Sequence, residues 1–275
     1  MKIIKRISSG YIQESFEDRQ ELSNERPVKS LVGKISKLQG RDNRGRISVR
    51  HRGGGAKRLY RIISTLDQCG QDVVKVVRLE YDPNRSANIA LIELKDGAKR
   101  YIIAPDKLKS GTILKFSDKI DIEAGNRSAL KNIPIGTQVC DIQLYPNSKK
   151  FIARAAGTSA KLMALEGDYA LLRLPSGELR KIHQECNATV GQVSNIKHNN
   201  LRIGKAGRKR HMGVRPSVRG KVMSPAAHPH GGGEGVNPIG LKYPKTPWGK
   251  VAIGKKTRRS KKSDKYIVKK AKTKR

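Results

Sequence analysis

The stretch of residues 73–116 reads VVKVVRLEYDPNRSANIALIELKDGAKRYIIAPDKLKSGTILKF. Four short runs within it are rich in Val, Ile and Leu, at residues 73–79, 88–94, 99–104 and 112–116. Turn-forming residues separate these runs, namely Asp82-Pro83-Asn84, Asp96-Gly97 and Ser110-Gly111. Apolar runs separated by such turns are typical of antiparallel strands joined by hairpins. The stretch therefore predicts a small antiparallel β barrel.

A second series of apolar runs follows, at residues 137–144, 151–155, 161–165, 169–174 and 178–182. Hairpin turns within it are supplied by Glu166-Gly167-Asp168 and Pro175-Ser176-Gly177. Two successive β barrels are the simplest interpretation, with a boundary between residues 125 and 135. The pattern leaves room for only one brief helix, around residues 183–188. Tyr101 and Tyr169 fall inside strand runs and are expected in the cores.

Glycine and proline become frequent beyond Asn195. They leave no window long enough for a helix or a paired strand. Alone in water this segment cannot bury enough apolar surface to offset its ordering entropy. We therefore expect it to be disordered or to be ordered by a partner. Residues 1–40 are similarly weak in pattern.

The charge of the chain points to a polyanionic partner. There are 59 Lys and Arg residues against 23 Asp and Glu, a net charge of +36. The last 75 residues hold 23 of these bases and only two acids. No run of about 18 apolar residues and no long amphipathic helix is present, so nucleic acid is favoured over a membrane.

The first 30 residues bear on targeting, and the cysteines indicate a reducing compartment. Five acidic residues among the first 30 match neither a signal peptide nor a transit peptide. The protein is therefore expected to stay where it is made. Cys69, Cys140 and Cys186 are far apart and lack metal-ligand spacing, so they are expected to be reduced, mostly buried thiols.

Residues 40–58 combine five arginines between Arg41 and Arg52 with three consecutive glycines and two further bases. Arginines supply charge for phosphates, and glycines let main-chain N–H groups approach a nucleic-acid backbone closely. We interpret this stretch as a phosphate clamp. The alternative is a basic face that is merely solvated.

Residues 224–235 place two histidines and Glu234 in a glycine-rich loop. These side chains could form an acid–base pair or a metal site. A metal site needs three or four converging ligands, however, and only the distant His211 would add to them. We favour a loop that packs into a tight RNA crevice.

Residues 249–256 imitate a phosphate-binding G-x-x-x-x-G-K loop, but Lys256 stands where Ser or Thr should hold Mg²⁺, so nucleotide hydrolysis is not expected.

Aromatic residues are scarce, with 8 Tyr, 3 Phe and 1 Trp. Proteins that grip flexible single strands stack bases on aromatic side chains, so recognition of phosphates and shape in folded RNA fits better. Trp248, between Pro247 and Gly249, is the one aromatic residue expected to pack on RNA.

Several collinear motifs resemble the family of the universal large-subunit ribosomal protein two, in its bacterial and plastid form. They lie at residues 40–55, 79–90, 132–136, 155–158, 204–207, 213–216, 228–235, 246–249 and 254–258. The resemblance implies an oligonucleotide-binding-like (OB-fold-like) barrel followed by an SH3-like barrel, with long irregular basic extensions at both ends that thread into ribosomal RNA. The implied divisions are residues 1–40, 41–124, 125–198 and 199–275.

The resemblance also implies a structural role. It places the chain near the peptidyl transferase centre, where the family supports subunit joining, transfer-RNA binding and formation of an active large subunit. The histidine loop would line RNA, because RNA itself carries out peptide bond formation. No enzymatic activity and no cofactor are expected. A nucleic-acid-processing enzyme that uses His228, His230 and Glu234 and a chromatin-like DNA packager are the competing hypotheses.

The expected partners are large-subunit ribosomal RNA, neighbouring ribosomal proteins and the small subunit, through an intersubunit bridge. Sequence details near residues 154–160, 174–178 and 199–201 look more like plastid members, so the plastid stroma is the expected location and the bacterial cytoplasm the alternative. The residues expected to bind RNA are Arg41, Arg44, Arg46, Arg50, His51, Arg52, Gly53, Gly54, Gly55, Lys57, Arg58, Arg85, Lys205, Arg208, Lys209, Arg210, Arg215, Arg219, His228, His230, Gly231, Gly232, Gly233, Trp248, Lys255, Lys256, Arg258 and Arg259.

Overall fold

A computed structural model describes residues 2–3, 14–70, 73–118, 121–234, 238–254 and 259–271. This part of the chain is mainly β, as expected. Its strands are β1 Lys2–Ile3, β2 Ser15–Phe16, β3 Val32–Lys34, β4 Leu59–Arg61, β5 Val73–Glu80, β6 Ile89–Glu93, β7 Lys99–Ile103, β8 Ile113–Lys115, β9 Arg127–Ala129, β10 Gln138–Cys140, β11 Ile142–Gln143, β12 Phe151–Ile152, β13 Ala160–Glu166, β14 Tyr169–Arg173, β15 Leu179–His183, β16 Asn187–Val190 and β17 Ile267–Lys269.

Helical segments are short. The described residues contain one α-helix, α1, at Ala206–His211. Single 3₁₀ turns lie at Lys29–Leu31, Leu66–Cys69, Leu130–Asn132, Ile196–Asn200, Gly220–Val222 and Lys262–Tyr266. No described helix has the length and apolar character needed to span a bilayer.

The first strand series forms a four-stranded antiparallel sheet in the order β7-β6-β5-β8, which confirms the four predicted strands. The predicted turn at Asp96-Gly97 joins β6 to β7, where Gly97 N–H donates to the Leu94 carbonyl at 2.9 Å. Strand β6 is buried on both faces. Ala90 and Ile92 pack in one apolar cluster, whereas Ile89 and Leu91 pack with Tyr101 in another. This alternation follows from the two-residue period of a strand.

The second strand series contributes to a seven-stranded antiparallel sheet in the order β17-β15-β14-β13-β10-β16-β9. A separate apolar cluster covers one of its faces, with Leu130, Val139, Leu162 and Leu172 among the buried side chains. The predicted helix around residues 183–188 is wrong. Strand β15 ends there at His183, a turn follows, and β16 begins at Asn187. Strand β16 pairs with β10 and β9, so pairing across the sheet prevails over the weak local helix signal.

Two further expectations for the last quarter are wrong. A helix does form there, α1, although it has only six residues. A paired strand forms as well, because β17 adds to the edge of the seven-stranded sheet next to β15. The edge strand β15 offers free main-chain groups, and three residues of β17 suffice to pair with them.

Buried polar contacts join the two sheets. Arg127, on β9, has no exposed side-chain surface, and its Nε donates to Asp67 Oδ1 at 2.7 Å. Its Nη1 donates to the Asp141 carbonyl at 2.8 Å and to Thr189 Oγ1 at 3.0 Å. Asp67 belongs to the 3₁₀ turn just before β5, whereas Arg127 and Asp141 belong to the second strand series. This guanidinium therefore links the two strand series.

The chain divides into two compact units. One contains residues 1–36, 57–205 and 263–275, and therefore both large sheets. The other, here called the basic unit, contains residues 37–56 and 206–262. It combines the arginine and glycine stretch with most of the glycine-rich extension.

Candidate nucleic-acid interface

The basic unit carries 21 Lys and Arg residues against two acids, Asp42 and Glu234. No member of the four apolar clusters belongs to it. Among its described residues, His228 is the one buried side chain. A unit with so much like charge and so little core is stabilised by main-chain hydrogen bonds and by counter-charge from outside.

Asp42 shapes the arginine-rich loop. Its Oδ1 accepts hydrogen bonds from the main-chain N–H groups of Arg44 and Arg46, each at 2.9 Å. Gly45, at φ +75°, completes this tight turn. The side chains of Arg41, Arg44, Arg46, Arg50 and Arg52 are all exposed, and no described carboxylate pairs with them. The single acid of the loop thus orders its backbone and pairs with none of its cations, although Arg41 Nη1 donates to the Gly45 carbonyl at 2.8 Å.

The glycine triplet lies against the chain around Gly213. Gly53 N–H donates to the Gly213 carbonyl at 3.1 Å, and Ala56 N–H donates to the His211 carbonyl at 3.0 Å. A Cβ on Gly55 would stand 2.9 Å from both Gly213 N and His211 O. Gly54, in contrast, has nothing within 4 Å of such a Cβ. Close approach within the protein therefore explains Gly55, the backbone conformation at φ +144° explains Gly53, and Gly54 is the member left open to a ligand.

Further contacts hold the two segments of the basic unit together. His51 Nδ1 lies 3.0 Å from the Pro216 carbonyl, and its own carbonyl accepts from Arg215 N–H at 3.0 Å. Lys37, which the sequence did not single out, donates through Nζ to the carbonyls of Gly55 and Ala56 at 3.2 and 2.6 Å. An isolated lysine among so many gives no sequence signal of this role.

Helix α1 and the segment after it extend the cationic surface. Arg208, Lys209 and Arg210 are consecutive on α1, and Lys209 and Arg210 are exposed. Arg215 and Arg219 are exposed in the irregular segment that follows. Arg259 is also exposed, whereas Lys255, Lys256 and Arg258 lie outside the described residues.

The histidine loop is closed by its own main chain. His228 Nδ1 accepts from His230 N–H at 3.0 Å, and His230 Nε2 accepts from Lys245 N–H at 2.9 Å. Each ring therefore uses the nitrogen lone pair of its neutral form inside the protein. A Cβ on Gly220 would lie 2.5 Å from the His228 ring, and one on Gly231 would lie 2.2 Å from the Ser224 carbonyl oxygen.

This geometry bears on the metal and acid–base interpretations of the loop. A nitrogen that accepts a main-chain hydrogen bond is not available as a metal ligand or general base. No three His, Cys, Asp or Glu side chains in the described part of the chain, which includes Glu234, converge as metal ligands. Gly232, at φ +86°, and the exposed Gly233 instead present main chain to the outside.

Trp248 occupies the tip of a tight turn. Gly249 N–H donates to the Thr246 carbonyl at 2.9 Å, and Thr246 N–H donates to the Lys250 carbonyl at 2.7 Å. The indole is 70% exposed, and the Arg50 guanidinium lies 4.8 Å from its ring centroid. Two sequence-predicted residues from distant segments thus form one exposed cation–π pair.

Four predicted residues belong instead to the unit with the large sheets. The exposed Lys57 lies just after the glycine triplet. Arg58 donates to the Pro83 carbonyl at 2.9 Å, and Arg85 pairs through Nε with the buried Asp82 at 2.6 Å. Lys205 pairs with the buried Glu14 at 3.2 Å. Internal partners therefore hold Arg58, Arg85 and Lys205, which reduces their freedom to meet a ligand.

Two family models match the chain. Residues 28–115 match the model described as "Ribosomal Proteins L2, RNA binding N-terminal domain". Residues 123–249 match "Ribosomal Proteins L2, C-terminal domain". The matches are collinear, and they take in the four-stranded sheet, the seven-stranded sheet except β17, and most of the basic unit. The chain belongs to the ribosomal protein L2 family, and it is an RNA-binding structural protein of the large ribosomal subunit rather than an enzyme.

Proposed function

We propose that the basic unit is the main surface by which this protein grips large-subunit ribosomal RNA. One observation carries the proposal: 21 cations and two acids lie on two distant segments that main-chain hydrogen bonds bring together. The proposed phosphate-binding side chains are exposed and lack described carboxylate partners. They are Arg41, Arg44, Arg46, Arg50, Arg52, Lys209, Arg210, Arg215 and Arg219.

Release of condensed counterions drives this binding, because each Lys or Arg that meets a phosphate frees the cations bound there. The large sheets dock as preformed bodies, while the basic unit takes its final order on the RNA. For about 6 to 10 phosphate contacts, affinity falls about 10³- to 10⁵-fold between 50 and 200 mM salt.

A charge-neutralising variant tests the assignment. We expect Arg44→Gln/Arg46→Gln/Arg50→Gln to make the negative slope of log affinity against log salt shallower by about 2 to 3, since three phosphate contacts are lost. The matched control is Lys99→Gln/Lys107→Gln/Lys109→Gln, which removes three exposed cations from the unit with the large sheets. Filter binding of a large-subunit RNA fragment over a salt series measures both. Equal slopes for the two variants, or a flat salt response of the wild-type chain, would contradict the proposal.

We further propose that residues 41–124 and 125–198 are the oligonucleotide-binding-like and SH3-like domains. Two separate antiparallel sheets, each with its own apolar cluster, support this division. Residues 41–56 join the basic unit, so the first domain would contribute its leading loop to the RNA surface.

The histidine loop is proposed to line an RNA crevice near the peptidyl transferase centre, supporting assembly, transfer-RNA binding and contact with the small subunit. Its tight packing around Gly220 and Gly231 supports a shape-determining role. Reconstitution of large subunits with Gly231→Val protein tests it. Particles that assemble and join small subunits normally would contradict this role.

We infer a plastid ribosome as the location, with the bacterial cytoplasm as the alternative. The sequence details near residues 154–160, 174–178 and 199–201 support the plastid assignment. Antibody detection of the chain in the large-subunit fraction of a plastid lysate, and its release only at high salt, is the expected result. Detection only in the cytosolic ribosomes of the same cells would exclude it.

A further inference from the structure

Four aromatic rings lie in a row at the outer face of the seven-stranded sheet. Tyr266 lies between Tyr145 and Tyr169, with ring centroids 6.3 and 6.4 Å away. Tyr169 in turn contacts the His183 ring at 5.8 Å. The interplanar angles are 45° to 73°, so no pair is stacked face to face and the rings leave flat surfaces uncovered. We call this group the tyrosine cleft.

Strand register explains why these rings face outward. Tyr169 on β14 pairs with His183 on β15, whereas their neighbours Ala170 and Ile182 are buried in the apolar cluster. Successive side chains of a strand point to opposite faces, so Tyr169 and His183 must lie on the other face. Tyr101 is buried, as the sequence predicted, but the prediction of a core position for Tyr169 is wrong, since it is 36% exposed.

The rings border a cavity of about 80 Å³, together with Leu144 and Pro146. A cavity needs about 10–15 Å³ to hold one water, so this cavity holds on the order of five waters. That is about the size of one flat heterocycle. Tyr145 is 40% exposed at its rim. Among the described residues, no group hydrogen-bonds the hydroxyls of Tyr145, Tyr169 or Tyr266, which remain available to a ligand.

Cations surround the cleft. Arg180 and Lys181 line it, and Lys265 Nζ lies 5.0 Å from the Tyr266 ring centroid. The Arg180 Nε is buried without a hydrogen-bond acceptor, and the nearest carboxylate, on Glu178, is 4.0 Å from Nη1. An apolar cleft with exposed ring faces, free hydroxyls and nearby cations matches a nucleotide, whose base is flat and polar-edged and whose phosphate is anionic.

We propose that the tyrosine cleft binds one unpaired base of the RNA, stacked on Tyr169 with its edge against Tyr266 and its phosphate toward Lys181 and Lys265. This inference rests on the proposed RNA-binding function and adds a base-recognising site to it. The basic unit reads phosphates along a folded surface. The cleft would instead select a position where a nucleotide is extruded from its helix.

Two hairpin RNAs that differ by a single bulged nucleotide test the proposal, with 2-aminopurine as the bulged base. Stacking on an aromatic side chain is worth about 1–3 kcal/mol per base, so the full-length wild-type chain should prefer the bulged hairpin about 5- to 150-fold. The fluorescence of the 2-aminopurine base should be quenched when the protein binds. We expect Tyr169→Leu to abolish the preference and the quenching, and Tyr169→Phe to keep both.

Tyr60→Leu is the matched control, because Tyr60 is 46% exposed and lies in the unit with the large sheets, outside the tyrosine cleft. It should keep the full preference. Equal affinity of the wild-type chain for both hairpins, with a steep salt dependence, would overturn the cleft alone. Failure to bind either hairpin in a salt-dependent way would overturn the proposed function instead.

A cross-linking experiment separates base binding from simple anchoring of β17. Irradiation of a complex in which the bulged base is 5-bromouridine should yield cross-links to peptides that contain Tyr145, Tyr169 or Tyr266. Cross-links confined to the peptide of Trp248 would overturn the proposal. So would a Tyr266→Leu chain that melts at lower temperature yet keeps the full preference for the bulged hairpin, because the ring would then serve only to hold the strand.

Discussion

The Arg127 side chain has no solvent exposure, so its contribution to stability depends on its partners. Replacing it with Met would remove the cation that Asp67 and Asp141 share and leave Asp141 with Arg154 alone, and breaking a buried pair costs up to about 3–5 kcal/mol. We expect Arg127→Met to lower the unfolding temperature of the full-length chain strongly in circular dichroism. Arg154→Met is the control, since Arg154 is 29% exposed and Asp141 keeps Arg127. An equal loss in both variants would contradict the dominant role of Arg127.

The pH dependence of this variant has a definite sign. Burial raises the pKa of Asp141, and the guanidiniums of Arg127 and Arg154 oppose that rise. Without Arg127 the folded-state pKa rises further above the unfolded value. A carboxyl group with a raised folded-state pKa favours folding at low pH, and this contribution is lost as pH rises through that pKa. The destabilisation of Arg127→Met should therefore be larger at pH 7 than at pH 5, and a pH-independent loss would contradict this cause.

The three thiols should differ in reactivity according to burial. Burial raises the pKa of Cys140 to about 12 and that of Cys186 to about 11. At pH 8 about one Cys140 in ten thousand is then a thiolate, the form that reacts. Cys69, with a pKa raised by burial but with partial exposure, is the most accessible. We expect iodoacetamide to label Cys69 first and the others only after unfolding, as read by peptide mass spectrometry. Equal labelling rates in the folded chain would contradict the buried positions.

At the scale of elements, the glycine triplet offers a matched pair of substitutions. Gly55→Ala and Gly54→Ala both place a side chain at positive φ, at +81° and +64°. Only the Cβ at residue 55 would also collide with the main chain of residues 211–213. We expect Gly55→Ala to raise proteolysis of the free protein within residues 37–56, while Gly54→Ala, whose Cβ meets no atom of the protein, costs only the backbone strain of about 1 kcal/mol. Limited proteolysis without RNA measures both effects, and equal behaviour would show that the contact is unimportant.

Sequence patterns predict the central strands because each is a run of apolar residues bounded by turn chemistry. The same reasoning fails for β17 and β16, which are short and take their conformation from partners far away in the chain. The predicted core position of Tyr169 is wrong for a related reason. A strand run shows that one face is buried, but the side that receives each residue depends on the register with its neighbours.

The candidate interface shows the same division. Clustered Arg, Gly and His are visible in the sequence, so most of the cationic surface could be predicted. The pairing of Arg50 with Trp248 and the approach of Gly55 to Gly213 join positions more than 150 residues apart, and no local pattern encodes them. The internal partner of Arg58 is equally invisible, because it depends on where the fold places Pro83, whereas Arg85 pairs locally with Asp82, three residues before it.

At the scale of the whole molecule, apolar burial and charge are segregated. All four apolar clusters belong to the unit with the large sheets, whereas the basic unit has 21 cations and one buried described side chain. Amide protection depends on the free energy of opening, which is low where few apolar contacts resist it. In the free protein we therefore expect strong hydrogen-exchange protection in β5, β6, β13 and β14, and fast exchange throughout residues 206–254.

Addition of large-subunit RNA should reverse this contrast. Phosphates would neutralise the repulsion within the basic unit, so the amides of Gly53, Ala56 and Gly213 should become protected while those of the large sheets change little. Hydrogen exchange with and without RNA at low salt, followed by mass spectrometry, measures the difference, and the same experiment at high salt should abolish it. Full protection of residues 206–254 without any polyanion would mean that main-chain hydrogen bonds alone order the basic unit, and the coupling between its order and RNA binding would have to be abandoned.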